Sequence, residues 1–177
     1  MIAKITTAFK KLQQLESRVR IVRGGSSAGK TIAILCLLIN KAIKTKGLVI
    51  SVVTATVPAL RRGALQDFLQ IMKSMNRFDE GKFNRTLLQY TFSNGSYIEF
   101  FSTDDSSKLR GARRNILFCN EANTVNFSAY QELSIRTSGD IWLDYNPVTR
   151  FWVDKELVGQ PDTDFITLTY KDNNQLS

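Results

Sequence analysis

Apolar and polar residues follow one another along this chain in a pattern that predicts strands separated by helices. Residues 18–23 alternate basic and apolar side chains and lead into two glycines, which predicts a strand. Residues 29–44 are apolar nearly all round, as expected for a helix buried against a sheet. Residues 47–53 form a β-branched run typical of an interior parallel strand. A helical period of apolar positions then predicts a helix over residues 58–75.

The second half of the chain continues the alternation. Asn94-Gly95 lies between apolar segments at residues 86–92 and 97–101, the strongest short-range signal of a β-hairpin. Further strands are predicted at residues 115–119, 140–143 and 164–169, and helices at residues 128–136 and 148–158. Strands that alternate with helices indicate βαβ units, so we expect an α/β fold with a mainly parallel sheet.

Between the first strand and the first helix lies a phosphate-binding loop motif, G-x-x-x-x-G-K-[ST]. Its residues are Gly24, Gly25, Ser26, Ser27, Ala28, Gly29, Lys30 and Thr31. Small side chains let backbone N–H groups curl around phosphate oxygens, Lys30 adds a positive charge, and the Thr31 hydroxyl can bind Mg²⁺. The flanking strand and helix are the context that this motif requires, so the sequence predicts a site for ATP and Mg²⁺.

A second polar pair follows the apolar strand at residues 116–119. Asn120 stands where nucleotide hydrolases of this type carry an aspartate that contacts the water shell of Mg²⁺. Asparagine offers an oxygen acceptor but no negative charge, so Asn120 is expected on the metal side with weaker attraction for the ion. Glu121 is available as the general base that activates the attacking water.

Composition and charge narrow the chemistry further. The chain carries 24 Lys and Arg against 16 Asp and Glu, a net charge of +8, which favours a polyanionic partner such as nucleic acid. Histidine is absent and there are two cysteines, so Ser-His-Asp catalysis and zinc sites are not expected. The longest apolar run, residues 32–39, is far shorter than the ~20 residues of a membrane span, so no membrane partner is expected.

Several segments, in this order, resemble a known family: the large terminase subunit of tailed bacteriophages, in its N-terminal ATPase domain. The segments are GGSSAGKT (24–31), YTFSNGSYIEFFS (90–102), KLRGARRN (108–115), ILFCNEAN (116–123) and IWLDYNPVTRFWV (141–153). The phosphate loop alone is shared with many families. The order of hairpin, LRG, NEAN and YNP is much more specific.

The resemblance implies an additional-strand, RecA-like nucleotide hydrolase fold, with the catalytic glutamate on the strand next to the one that enters the phosphate loop. It implies a DNA-packaging motor in the cytoplasm of the infected host: a homo-oligomeric ring on the capsid portal that translocates double-stranded DNA, with a small terminase subunit as a further partner. Carried over by residue, Lys30 and Thr31 bind phosphate and Mg²⁺, Glu121 activates water, and Asn146 matches a coupling motif that senses the γ-phosphate.

The chain departs from the family pattern in its arginines, because the phosphate loop holds no basic residue before Lys30. Arg110, beside Gly111, is therefore the first candidate for an arginine finger, with Arg113 and Arg114 next. Such a residue could act on the nucleotide of a neighbouring subunit. The alternative for each is a solvated arginine or a contact to DNA phosphates.

The expected organisation is an ATPase domain over residues 1–170 and, over 171–177, the start of a linker toward a nuclease domain. No nuclease activity is expected of the chain itself. Three other functions stay open: a helicase-like ATPase, a nucleotide-binding assembly module that hydrolyses ATP poorly because of Asn120, and a small-molecule kinase.

Overall fold

A single sheet of eight strands organises the protein in the computed structural model, which describes residues 6–174. The strands are β1 (Val19–Gly24), β2 (Val49–Thr54), β3 (Phe83–Asn84), β4 (Gln89–Thr91), β5 (Tyr97–Ser102), β6 (Ile116–Cys119), β7 (Ile141–Tyr145) and β8 (Thr163–Leu168). The helices are α1 (Thr7–Gln13), α2 (Lys30–Lys44), α3 (Val57–Arg62), α4 (Ala64–Ser74), α5 (Ser106–Leu109) and α6 (Phe127–Ile135). Short 3-10 turns lie at Ser26–Ala28, Glu80–Lys82, Ala122–Thr124 and Tyr170–Asp172, and a π-helical turn at Val153–Leu157.

The strand order is β3-β4-β5-β2-β6-β7-β1-β8. The six strands from β5 to β8 in this order run parallel, and β3 and β4 extend one edge in antiparallel pairing. The predicted hairpin around Asn94-Gly95 is confirmed, because β4 and β5 pair on either side of it. The carboxyl ends of the parallel strands meet at one edge of the sheet, where ligands bind in open α/β sheets.

One expectation about the strand order is wrong. β6, which leads into Glu121, is not next to β1, which leads into the phosphate loop. β7 lies between them and pairs with both strands. Sequence patterns locate strands but do not show which strands pair, and here β7 is inserted between the two. The polar residues at the end of β7 are therefore placed directly beside the phosphate loop.

Each face of the sheet is covered by helices. One core contains buried residues of α1, α2 and α4, and the other contains residues of α6 and the π-helical turn. Strand residues alternate between the two cores, as the pleat requires: Val52 points to the first and Val53 to the second. Ser26–Lys44 is apolar and long enough to cross a membrane by length and composition alone, but α2 packs here as a core helix against α1 and α4.

Two helix predictions need correction, and one further helix was not predicted. The helix expected over residues 58–75 is two helices, α3 and α4, separated at Gly63 by a non-helical backbone (φ −108°, ψ −112°). The helix expected over residues 148–158 is reduced to the short turn at Val153–Leu157. Helix α1 was not expected at all. Its N-cap is Thr6, whose side chain accepts the N–H of Phe9.

Candidate nucleotide site

The phosphate loop leaves β1 at Gly24 and enters α2 at Lys30, so the N-terminus of a long helix faces the carboxyl edge of the sheet. Gly29 has a left-handed backbone (φ 71°), which glycine adopts without strain. Gly24 lies against β8, where an added Cβ would come within 2.3 Å of the Leu168 carbonyl oxygen. Glycine is therefore favoured at these two positions for different reasons: the left-handed backbone at Gly29 and the close approach of β8 at Gly24.

Lys30 is buried inside the loop it belongs to, with 6% of its surface exposed. Its Nζ donates to the carbonyls of Gly24 (2.7 Å) and Gly25 (3.1 Å) and to Oδ1 of Asn146 (2.8 Å). Burial lowers the pKa of this amine, while attraction to Asp144 and Glu121 opposes the change. The amine is thus held by neutral oxygens that an anionic ligand can replace.

Thr31, Asn120 and Asp144 form a buried hydrogen-bond network beside Lys30. The Thr31 hydroxyl donates to Oδ2 of Asp144 at 2.6 Å. The Asn120 amide Nδ2 donates to Oδ1 of Asp144 at 2.9 Å and to the Thr31 hydroxyl at 3.3 Å. Burial raises the pKa of Asp144, and hydrogen bonds from Thr31, the Glu121 N–H and Asn120, with the charge of Lys30, oppose that rise. The sequence analysis did not name Asp144, which lies at the centre of this network.

Glu121 follows Asn120 with a left-handed backbone (φ 54°, ψ 51°). Its N–H donates to Oδ1 of Asp144 at 2.9 Å, and its side chain is exposed. Positive φ is uncommon outside glycine and concentrates at functional sites, where the surrounding structure holds it. The network of Asp144 therefore fixes the backbone from which the Glu121 carboxylate extends.

Asn146, just beyond β7, lies over the loop. Its Oδ1 accepts from Lys30, and its Nδ2 donates to the Ser26 hydroxyl at 3.4 Å. The structure thus brings together Lys30, Thr31, Asn120, Glu121 and Asn146, all of which were named from the sequence. The roles assigned to them stay predictions.

The comparison with sequence families decides the relationship. The profile of the family described as phage terminase large subunit matches residues 16–177. The chain belongs to this family. No curated protein sequence matches it.

Solved terminases share the fold. The large terminase of a thermophilic bacteriophage matches with a TM-score of 0.82 at 22% identity, over 97% of this chain and 47% of its own. The same protein in complex with ATP-gamma-S matches with a TM-score of 0.78 at 20% identity, over 97% of this chain and 45% of its own. The large terminase ATPase domain of Thermus phage P74-26 gives 0.69 at 15% identity, over 90% of this chain and 79% of its own. The terminase chain described here spans about half the length of the thermophilic phage protein. The expected additional-strand, RecA-like fold class is confirmed.

The three arginine-finger candidates of the terminase chain, Arg110, Arg113 and Arg114, differ in their exposure and contacts. Arg110 is largely exposed after α5, and its Nε lies 3.4 Å from Oε2 of Glu132 on α6. Arg113 is exposed. Arg114 is buried, and its guanidinium donates to the Ser51 hydroxyl (2.9 Å) and the Leu133 carbonyl (3.1 Å). Arg114 as a finger is therefore wrong, because its side chain is enclosed between β2 and α6.

The C-terminal segment of the terminase chain packs against the same loop. Asp172 is buried, forms an ion pair with Lys11 (2.8 Å) and accepts the Thr169 N–H (2.8 Å). Asn173 donates from its amide to the Ser27 carbonyl at 3.0 Å. The expected linker at residues 171–177 thus begins in contact with the phosphate loop, while its residues 175–177 lie outside the described residues.

Proposed function

We propose that this terminase chain hydrolyses ATP in the presence of Mg²⁺, as the ATPase domain of a motor that translocates double-stranded DNA into a prohead. The observation that carries the proposal is the convergence of Lys30, Thr31, Asp144, Glu121 and Asn146 on one phosphate loop. Membership of the terminase family supports it, as does the fold shared with a large terminase solved with ADP and with ATP-gamma-S.

Phosphate binding follows from the loop and Lys30. The backbone N–H groups of residues 24–31 and the N-terminus of α2 supply partial positive charge for an anion. Lys30 makes no ion pair with any described residue, so its charge is available to the β- and γ-phosphates. On binding, the amine would exchange neutral carbonyl oxygens for phosphate oxygens.

The residues present fit Mg²⁺, because the hydroxyl of Thr31 and a carboxylate, Asp144, lie together at the start of α2. Hard oxygen donors with substrate phosphates are the environment that this ion prefers. When bound, Mg²⁺ neutralises charge that develops on the transferred phosphoryl group. Thr31 and one member of the Asn120–Asp144 pair would hold it.

Hydrolysis needs a base for the attacking water. The exposed Glu121 carboxylate would take a proton from water as the oxygen bonds to the γ-phosphorus. The bond from phosphorus to the bridging oxygen then breaks, which leaves ADP and phosphate. Asn146 would sense this change through Lys30, since the 2.8 Å contact between them competes with phosphate for the same amine.

The wider assembly is part of the proposal. Arg110, exposed on the surface, would act on the nucleotide of a neighbouring subunit in a homo-oligomeric ring. The basic surface would contact DNA phosphates without sequence preference, so binding would weaken steeply with salt. Portal protein and small terminase subunit would be partners in the cytoplasm of the infected host. We also propose that residues 1–170 form the ATPase domain and that residues 171–177 are the start of a linker.

Phosphate release from Mg-ATP by the full chain tests the catalytic proposal. Glu121→Gln removes the base but keeps the shape, so kcat should fall by about 10²–10⁴-fold. ATP affinity should change little, because the phosphates are held by the loop. Glu156→Gln makes the same charge change at an exposed glutamate of the π-helical turn and should leave hydrolysis unchanged.

The outcomes separate the hydrolase from the assembly module. ATP binding without phosphate release, in wild type and Glu121→Gln alike, would support an assembly module and refute the hydrolase. Equal loss in Glu121→Gln and Glu156→Gln would refute the role of Glu121. For the finger, Arg110→Ala should lower kcat of the assembled ring at least about 100-fold, with Arg113→Ala as the matched control. A loss equal to that of the control would remove Arg110 from the proposal.

A further inference from the structure

The position of Asp144 points to a metal site that differs from the one expected at Asn120. β7 pairs with both β6 and β1, and its register places Cys119 opposite Leu143 and Val22 opposite Asp144. Asp144 is therefore level with Asn120 on the neighbouring strand. It is also one strand closer to the phosphate loop.

The amide of Asn120 presents its donor side to this cluster. Nδ2 donates both to Oδ1 of Asp144 and to the Thr31 hydroxyl. The carboxylate fixes this orientation, because a carboxylate accepts hydrogen bonds and an amide oxygen in the same place could not donate one. Asn120 thus turns N–H groups, and not its oxygen, toward the hydroxyl that is expected to bind Mg²⁺.

Asp144 places beside Thr31 the negatively charged oxygen that Asn120 lacks. Its Oδ2 accepts from the Thr31 hydroxyl at 2.6 Å, and 1% of the residue is exposed. Its hydrogen bonds come from three neutral donors: the Thr31 hydroxyl, the Asn120 amide and the Glu121 N–H. Within residues 6–174 it forms no ion pair, since Nζ of Lys30 is bound to other oxygens. Carboxylates are almost never fully buried unless paired, and the charge of Lys30 acts on Asp144 without direct contact, so a cation beside Thr31 would supply a direct ionic partner.

We propose that Asp144, and not Asn120, is the carboxylate of the Mg²⁺ site, so that the acid missing from the end of β6 is supplied by the end of β7. The inference rests on the proposed function, because it concerns the metal that accompanies ATP. Asn120 is then one of three hydrogen-bond donors to Asp144 and not a metal ligand. It donates to Oδ1 of Asp144, while Oδ2 faces Thr31.

Nucleotide affinity, measured by calorimetry with ADP in Mg²⁺ and in EDTA, tests this without catalysis. The ratio of the two Kd values gives the contribution of the metal. In Asp144→Asn the ratio should fall at least about tenfold, while Kd in EDTA stays equal or tightens because a negative charge near the phosphates is lost. Asn120→Ala should change the ratio less than about threefold, since no metal-facing oxygen is removed.

Two further variants sharpen the result. Asp67→Asn makes the same charge change on α4, at a carboxyl that feels the charge of Asp144 but does not bond to Thr31, and should also change the ratio less than about threefold. The double variant Asn120→Asp/Asp144→Asn moves the carboxylate to β6 and should recover most of the metal dependence lost in Asp144→Asn.

Each outcome has one meaning. If wild type binds ADP in neither condition, the proposed function fails. If wild type shows the metal dependence and Asp144→Asn keeps it, or if Asn120→Ala loses it, the assignment of Asp144 is overturned. Should Asp144→Asn not fold, Asn120→Ala still decides, because the two assignments predict opposite results for it.

Discussion

Gly24, the first glycine of the phosphate loop, provides a prediction that can be worked from distances. Gly24→Ala would place a Cβ 2.3 Å from the Leu168 carbonyl oxygen, a backbone atom of the adjacent strand β8. The closest ordinary carbon–oxygen approach between strands is about 3.3 Å. β1 and β8 would therefore have to separate by about 1 Å at a position where they are hydrogen-bonded.

The cost can be set against the gain from replacing glycine. Backbone shifts forced by an extra methyl group cost about 1–3 kcal/mol, and a contact with backbone belongs at the upper end. Alanine also restricts the unfolded chain, which returns about 0.4–1 kcal/mol. The net loss is about 2 kcal/mol, or about 4–8 °C in Tm for a domain of this size.

Gly25→Ala is the matched control. Gly25 has an extended backbone (φ −63°, ψ 166°), and an added Cβ meets no atom within 4 Å. Only the unfolded-state term applies, so Tm should stay equal or rise slightly. Thermal unfolding without nucleotide measures both variants. A Gly24→Ala protein that melts within about 1 °C of Gly25→Ala would refute the argument that β8 excludes a side chain at Gly24.

Two predictions concern stability away from the site. Asp164 accepts hydrogen bonds from the N–H and hydroxyl of Ser17; burial raises the pKa of this carboxyl, but these bonds, with others, lower it overall. The stability that Asp164 contributes is therefore fully present above the unfolded pKa of about 3.9. It is lost as pH falls through the lower pKa of the folded state. In urea unfolding, wild type should lose more stability from about pH 5 to pH 3 than Asp164→Asn; parallel losses would contradict this. Arg114→Ala should cost about 2–4 kcal/mol by leaving Ser51 and other buried partners without a donor, whereas the exposed Arg113→Ala stays within about 0.5 kcal/mol. Equal urea midpoints for the two arginine variants would show that the burial of Arg114 carries no stability.

The sequence was sufficient where the signal is local. The phosphate loop, its flanking strand and helix, and the Asn94-Gly95 hairpin were predicted because turn chemistry and periodicity lie within a few residues. Glu121 was found as the acid that follows a buried strand, and Asn146 was found through the resemblance; both lie at the carboxyl edge of the sheet.

The strand order and Asp144 were not predicted, because both depend on long-range pairing. Thr31 and Asp144 are 113 positions apart in the chain. Asp144 lies inside an apolar strand, where a single acid carries no local pattern. Two observations together could have found Asp144. Position 120 holds an asparagine where an aspartate is usual, and another buried strand carries a carboxylate near its end.

Two polar side chains, those of Asp144 and Asn146, lie at the end of β7. Asp144 touches the threonine at the start of α2, and Asn146, two residues later, touches the lysine before that threonine. β7 pairs with β1 as far as Tyr145 and with β6 as far as Leu143, so the backbone that leads to both side chains is held in the sheet. A phosphate that drew Nζ of Lys30 away from Asn146 would therefore act two residues from the carboxylate that accepts the Thr31 hydroxyl. The end of one strand thus contacts both the lysine expected to bind the phosphates and the threonine expected to bind the metal.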